Sequence, residues 1–244
     1  MIKYIGSKRV LVPHIVTIVG RLEGVRSVLD LFSGTSRVGH ALKGAGYIVT
    51  ANDHTTYAYK LAQTYVAADR VKVEADATRL IAELNLIEGE AGYFTETFCE
   101  RSRYLQPHNG RRVDAIRDRI AALALEPILE AVLLVALMEA ADRVDSTCGL
   151  QMAYLKGWSA RSHQKLELRL PALLEGPGHA TQREARDAAR GRAYDLVYLD
   201  PPYNQHRYFT NYHIYETLVA WDRPAHYGVA CKRVDSREPE TKSV

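Results

Sequence analysis

The sequence has few cysteines and lacks long hydrophobic runs, and both facts restrict what the protein can be. Its three cysteines, Cys99, Cys148 and Cys231, lie far apart without a Cys-x-x-Cys pair, so neither a disulfide framework nor a zinc site is expected. The most apolar segment, residues 128–141, contains two glutamates and is too short to span a bilayer. Met1 leads directly into a polar turn, so no signal peptide is expected. These features favour a reducing compartment.

The composition and net charge also indicate little about function. Of the 244 residues, 47% are hydrophobic and 25% are charged, and the formal net charge is +3. This composition is typical of a globular protein with one large domain, or with a domain that carries a sizeable insertion. The small positive excess permits nucleic-acid binding without indicating it.

The most informative stretch is a short apolar run that ends in an acid and two prolines. Residues 197–199 predict a buried strand, which Pro201 and Pro202 stop after Asp200. In an open α/β sheet, ligands bind at this edge. Asp200 and the Pro201 carbonyl can each accept an N–H bond from a planar amine, which frees its lone pair, and Tyr203 can stack on a flipped base. An ordinary Asp-Pro turn is the alternative interpretation.

A second stretch predicts a strand, a glycine turn and a helix. Residues 28–32 form the predicted strand and contain Asp30, Gly34 forms a tight turn, and a helix follows from about Ser36. Because glycine lets the backbone approach a ligand, this order is typical of a site for a nucleotide-type cofactor. The dinucleotide fingerprint Gly-x-Gly-x-x-Gly is absent, since Ser36 holds its middle position, and this argues against NAD.

A second predicted strand, residues 47–53, also ends in an acid. Asp53 follows Gly34 by about 20 positions, the spacing at which a carboxylate meets ribose hydroxyls in such folds. The alternative role for Asp53 is that of a helix N-cap, because a helix is predicted over residues 56–67. Together the elements predict a β-α-β-α unit with a cofactor site.

The middle of the chain has a helical rather than a strand pattern. From Asp69 to about Pro171 the strand signal fades, and residues 77–87 and 113–144 carry helical periodicity that is broken at Pro127. Two segments interleave basic and aromatic residues, which suits phosphate contacts and base stacking, although a solvated surface is the alternative. The residues predicted to contact DNA phosphates are Arg101, Arg103, Arg111, Arg112, Lys156 and Arg161.

The order of these motifs resembles the Dam-like, alpha-group family of adenine-specific DNA methyltransferases. The matching motifs are Lys3-Tyr-Ile-Gly-Ser-Lys8, Asp30-Leu-Phe-Ser-Gly34 and Asp200-Pro-Pro-Tyr203. The resemblance implies a Rossmann-like α/β methyltransferase sheet from residues 1–68 and 172–244, with a mostly helical target-recognition insertion at residues 69–171. It also implies methyl transfer from S-adenosylmethionine to the N6 amine of a flipped-out adenine in duplex DNA, without a metal or a covalent intermediate.

Carried over to the matching positions, the resemblance gives the motif residues their roles. Asp200, Pro201 and Pro202 hold the target amine, and Tyr203 stacks on the adenine. The residues expected to bind the cofactor are Tyr4, Lys8, Asp30, Phe32, Gly34, Asp53 and, near its adenine, Asp187. The resemblance further implies a cytoplasmic protein associated with double-stranded DNA, in some systems with a restriction endonuclease as partner. The segment after Tyr203 is short for such a domain, so an incomplete sheet with an exposed edge is expected.

Two other functions fit the same motifs. The first is methyl transfer to RNA or to a protein amide, because an Asp-Pro-Pro corner serves planar amines generally. The second is a catalytically inactive relative that binds nucleic acid, which the short C-terminal segment keeps open.

Overall fold

A parallel sheet forms the part of the fold that carries the predicted motifs. The computed structural model describes residues 1–202 and 208–237, and the structural statements below refer to these ranges. The strands, in chain order, are β1 (Ser27–Asp30), β2 (Ile48–Asn52), β3 (Gly178–Thr181), β4 (Leu196–Tyr198), β5 (His226–Tyr227) and β6 (Lys232–Arg233). The first four pair in parallel in the order β3-β2-β1-β4, and β5 and β6 form an antiparallel pair. The predicted α/β class is confirmed.

Helices make up most of the remaining described structure. They are, in chain order, α1 (Val12–Val19), α2 (Arg37–Gly44), α3 (Thr56–Ala62), α4 (Arg70–Asn85), α5 (Tyr93–Thr95), α6 (Pro107–Ala122), α7 (Pro127–Arg143), α8 (Ala185–Arg190), α9 (Tyr208–Asn211) and α10 (His213–Ala220). Segments Gln63–Ala67 and Glu96–Arg101 are π-helical, and Lys8–Val10, Ala160–His163 and Val234–Arg237 are 3₁₀ turns. The predicted break at Pro127 is confirmed, because proline fits the first turn of a helix but not its interior.

Two apolar clusters position the sheet. On one face of β1, Val28 packs with residues of α1, α2 and β2, and on the other face Leu29 packs against α8. Burial on both faces is why these strands are apolar throughout rather than alternating. The largest cluster lies among helices and joins α3 and α10 to α4, α6 and α7. The helices of residues 69–171 therefore share a core with their neighbours, and the division into domains stays a prediction.

The C-terminal part of the chain is more ordered than the sequence predicts. The polar composition of residues 231–244, with one proline, predicts an unstructured segment, but β6 and a 3₁₀ turn occupy residues 232–237. The reason is Arg233, whose buried guanidinium donates to the carboxylates of Asp222 and Asp235. An ion pair between residues separated along the chain is not visible in local composition.

The edge strand β4 agrees with the expectation of an exposed sheet edge. Within the described ranges it pairs only with β1, and Val197 and Leu199 are 42% and 62% exposed, so the prediction that the strand at residues 197–199 is buried is wrong. No helix among the described residues is long and apolar enough to cross a membrane.

Candidate active site

A cavity of about 310 Å³ lies at the carboxyl ends of β1, β2 and β4. Its walls include six of the residues predicted to bind the cofactor, namely Tyr4, Lys8, Asp30, Phe32, Gly34 and Asp53. Three residues of the predicted catalytic corner, Asp200, Pro201 and Pro202, line the same cavity. Tyr203 lies outside the described residues. The structure thus brings together stretches that are about 170 positions apart, because β4 pairs with β1 in the sheet.

The turn after β1 places its backbone beside the cavity. Gly34 has φ +49°, and a methyl group added there would lie 3.5 Å from the ring of Tyr4. Ser36 also has a positive φ, 56°, and is fully buried, so a serine adopts the left-handed conformation that usually favours glycine. This conformation turns the chain directly into α2 at Arg37.

Asp53 connects this turn to the start of α3. One carboxylate oxygen accepts from the backbone N–H of Gly34 at 2.9 Å, and the other accepts from the N–H and hydroxyl of Thr55 at 3.0 and 2.9 Å. Thr55 rather than Asp53 is the N-cap of α3. Asp53 therefore fixes two loops of the cavity wall, and its binding to a ribose stays a prediction.

Asp30 is a buried carboxyl with an unsatisfied oxygen. It is 1% exposed, its Oδ2 accepts from the Gly39 N–H at 3.1 Å, and its Oδ1 has no hydrogen-bond partner among the described residues. Burial raises the pKa of Asp30 to about 7, and the nearby carboxylates of Asp53 and Asp200 contribute in the same direction. An unsatisfied carboxyl in a cavity wall fits a cationic ligand group.

An aromatic stack that includes Tyr4 lies beside the glycine turn. The Tyr4 ring lies 4.5 Å from that of Tyr212 and 5.4 Å from that of Tyr208, and both pairs are nearly parallel. Its hydroxyl is 3.3 Å from that of Tyr57. Burial raises the pKa of Tyr4 well above its ordinary value, so the phenol stays neutral. The wall is therefore apolar and rigid, as suits a flat ligand.

The catalytic corner carries an ion pair. The Lys8 ammonium lies 2.8 Å from Oδ2 of Asp200, and both side chains are largely shielded from solvent. Lys8 comes from the 3₁₀ turn near the N-terminus, whereas Asp200 follows β4. The first and last motifs of the sequence thus meet directly across the cavity.

One cofactor residue predicted from the sequence is not brought to the cavity. Asp187 is exposed on α8 and is absent from the cavity wall, and its contact with the cofactor stays a prediction. Glu184 and Ala185, at the start of α8, line the cavity instead.

The six basic residues assigned to DNA divide into three kinds. Arg101, Arg111 and Lys156 are exposed. Arg103 donates to the Lys156 carbonyl at 2.7 Å and lies over the Trp158 ring at 4.9 Å, so the two basic segments do meet. Arg161 pairs with the buried carboxylate of Asp145.

Arg112 is the third kind, a buried arginine. It is 7% exposed, and its guanidinium donates to the backbone carbonyls of Leu166, Ile87 and Asn85. Since all three nitrogens donate to carbonyls inside the protein, Arg112 holds three segments together, and its contact with a phosphate stays a prediction.

Sequence reasoning missed Arg37, which also lines the cavity. As the first residue of α2, it lies at the carboxyl edge of the sheet. Its place directly after the glycine turn was the available signal, because the first helical residue after such a turn lies beside the ligand site.

Comparison with known proteins agrees with this geometry. Residues 4–244 match the family model described as D12 class N6 adenine-specific DNA methyltransferase. The chain is 30% identical to the type II methyltransferase M.NlaIII of Neisseria lactamica over 234 residues, covering 90% of this chain and 69% of that protein. It is 29% identical to modification methylase StsI of Streptococcus sanguinis and 30% identical to type II methyltransferase M.FokI of Planomicrobium okeanokoites.

The alignments differ in how much of each relative they cover. They include 93% of this chain in both cases, but only 37% of StsI and 38% of M.FokI, so the chain spans well under half of these two proteins. The methyltransferase resemblance predicted from the motifs is confirmed by a match over nearly the whole chain. The chain belongs to the family of D12 class N6 adenine-specific DNA methyltransferases.

Proposed function

We propose that this chain transfers a methyl group from S-adenosylmethionine to the N6 amine of an adenine flipped out of duplex DNA. The observation that carries the proposal is that Asp200, Pro201 and Pro202 line the same cavity as Asp30 and Gly34. An acceptor corner for an amine and a cradle for a nucleoside cofactor therefore face one space. This arrangement fits a direct transfer between two ligands held side by side.

The residues of the chain position the two ligands. S-adenosylmethionine, when bound, supplies a methyl group on a sulfonium that is released by direct displacement. Gly34 and Asp53 would hold the nucleoside, with the carboxylate on the ribose. Asp200 and the Pro201 carbonyl would accept the two N–H bonds of the adenine amine. Lys8 engages Oδ2 of Asp200, so we assign Oδ1 to the incoming amine.

The DNA would lie over the exposed basic residues. Arg101, Arg111 and Lys156 are proposed to contact phosphates, because long-range attraction and counterion release need exposed cations. Arg103 and Arg161 are anchored to protein groups and are proposed to hold the segment of residues 156–161 in place. A cytoplasmic location and a restriction endonuclease partner remain proposals.

The testing experiment measures transfer of labelled methyl groups to duplex DNA, ribosomal RNA and protein, followed by digestion of the DNA to nucleosides. We expect label in DNA alone, recovered as N6-methyladenine. Label in RNA or protein would favour the other methyltransferase functions. DNA retention and cofactor binding without any transfer would identify a catalytically inactive relative.

Cofactor binding is expected to release protons near pH 6.5. The Asp30 carboxyl, whose pKa is raised to about 7, is largely protonated in the free protein at this pH. A ligand ammonium favours the ionised form and lowers that pKa, so affinity should rise as the pH increases from about 5.5 to 7. Calorimetry with S-adenosylhomocysteine in buffers of different ionisation enthalpy measures the release.

The Asp30 carboxyl also makes the stability of the folded protein depend on pH. Because the folded pKa lies above the unfolded value, the folded state binds more protons, and Asp30 lowers the stability as the pH rises from about 4 to 7. Asp30→Asn should remove both the proton release and this loss of stability. Proton release that persists in Asp30→Asn would assign it to another group of the protein.

A further inference from the structure

The cavity contains two side chains of opposite charge that are not paired with each other. Oδ1 of Asp30 and Nε of Arg37 are both buried, and neither has a hydrogen-bond partner among the described residues. Both residues line the cavity, and no ion pair of Arg37 forms within the described ranges. A buried charge is normally hydrogen-bonded, so each of these atoms lacks a partner that a ligand could supply.

Their arrangement fits a ligand end that carries both charges. Asp30 ends β1, and Arg37 begins α2 after the turn at Gly34 and Ser36. A ligand cation can contact Asp30 while an adjacent anion contacts the guanidinium and the amino end of α2, where the helix dipole also favours negative charge. Such a ligand end is a zwitterion, as in an α-amino acid.

We infer that Arg37 binds the α-carboxylate of S-adenosylmethionine while Asp30 binds its α-ammonium. The inference rests on the proposed function, which supplies the amino-acid end of the cofactor. A guanidinium presents two parallel N–H donors and matches a carboxylate in a way that a point charge does not. The carboxylate would thus take up a donor that is otherwise unsatisfied.

The other cations of the cavity wall are less suitable. The Lys8 ammonium is 2.8 Å from Oδ2 of Asp200 and is already paired with that carboxylate. The Arg183 guanidinium lies beside Gly191. A methyl group added to Gly191 would be 3.3 Å from Nη1 of Arg183. Arg37 is therefore the residue in this wall best placed to meet an anion next to Asp30.

The competing role for Arg37 is structural. The π-helical segment Gln63–Ala67 packs against α2, and Oε1 of Gln63 and Oγ1 of Thr64 are also buried without partners. If Arg37 served only to hold this segment, its loss would affect all ligands of the cavity equally. Dependence on the ligand carboxylate separates the two roles.

The test compares three ligands by calorimetry. S-adenosylhomocysteine has both charged groups, its decarboxylated analogue keeps only the amine, and 5′-methylthioadenosine has neither. Arg37→Met should weaken binding of S-adenosylhomocysteine by about 10- to 100-fold, the range for losing hydrogen bonds to a charged group. The affinity of Arg37→Met for the other two ligands should change less than about threefold. The affinity of Arg37→Lys for S-adenosylhomocysteine should lie between those of the parent protein and Arg37→Met. Arg21→Met, which changes an exposed arginine outside the cavity, is the matched control.

Each outcome supports or contradicts the role of Arg37 in binding the carboxylate. Equal losses for all three ligands in folded Arg37→Met and Arg37→Lys would show a structural role and overturn the inference, as would unchanged binding of S-adenosylhomocysteine. If the parent protein binds none of the ligands, the proposed function and the inference both fail. If the carboxylate-specific loss is found but DNA receives no methyl group, the inference stands and the proposed reaction is wrong.

Discussion

Asp200→Ala is expected to reduce methyl transfer at least about 100-fold while S-adenosylhomocysteine and duplex DNA still bind. The amine becomes more positive as the new bond forms, so an acceptor carboxylate stabilises the transition state more than the bound substrate. Removal of a single preorganised electrostatic group of this kind typically costs factors of about 100–1,000 in turnover. Single-turnover transfer to a defined duplex, measured beside calorimetric affinities, gives both quantities.

Two further variants make the expectation specific. Asp200→Asn keeps one acceptor oxygen without the charge, so residual activity would show that the hydrogen bond matters apart from the charge. Asp187→Ala removes an exposed carboxylate outside the cavity wall and should leave transfer unchanged. Normal turnover by Asp200→Ala in a protein whose parent methylates DNA would show that the corner after β4 is not the catalytic site.

The second large effect is expected at Glu216, a buried acid of α10. Its two carboxylate oxygens accept from the backbone N–H groups of Thr56 and Tyr57 at 3.1 and 3.0 Å, which lie in the first turn of α3. The first N–H groups of a helix have no partner within the helix, so this carboxylate supplies one from outside. It thereby also holds the loop that carries Asp53.

Glu216→Ala should leave the buried N–H of Tyr57 and the partly buried N–H of Thr56 without their acceptor. Each costs about 1–3 kcal/mol, so we expect the free energy of unfolding to fall by roughly 2–4 kcal/mol and Tm to fall by about 5–15 °C. Affinity for S-adenosylhomocysteine should fall as well, well below the melting range, because the Asp53 loop loses its support. Thermal unfolding and calorimetry measure the two effects.

Glu216→Gln and Glu83→Ala are the comparisons. The amide of glutamine can satisfy one of the two N–H groups, so about half of the loss is expected. Glu83 is exposed on α4 and, in the part of the chain that the structure describes, forms its ion pair with Arg79, so its removal should change stability by less than about 0.5 kcal/mol. A Glu216→Ala protein with the parent's Tm and cofactor affinity would remove this carboxylate from any role in positioning the site.

The strands and turns of the site could be predicted because their signals are local. The apolar runs before Asp30 and Asp53, the turn at Gly34, and the helix start at Pro127 each depend on neighbouring residues only. The shared edge of the parallel strands then placed Asp200 beside Asp30 without any knowledge of side-chain contacts.

The residues whose surroundings the sequence does not predict depend on partners far along the chain. Arg112 lies in a basic segment of the sequence, yet its guanidinium is bound by the backbone carbonyls of residues 85, 87 and 166. Arg233 orders the segment after Cys231 only because Asp222 lies across from it. Neither contact leaves a trace in a local window of sequence, and the same holds for the unsatisfied nitrogen of Arg37.

The strand order also determines when the site can form as the protein is synthesised. β1 pairs with β2 close by in the sequence, but the contact of Ser27 with Asp195 beside β4 spans 168 positions. The β1–α2–β2–α3 unit can therefore form early, at translation rates of about 5–20 residues per second. The intervening helices add little to the closure entropy, because each doubling of a loop costs only about 0.6 kcal/mol. They do delay the pairing of β1 with β4, so the acceptor corner can form only after these helices have been synthesised.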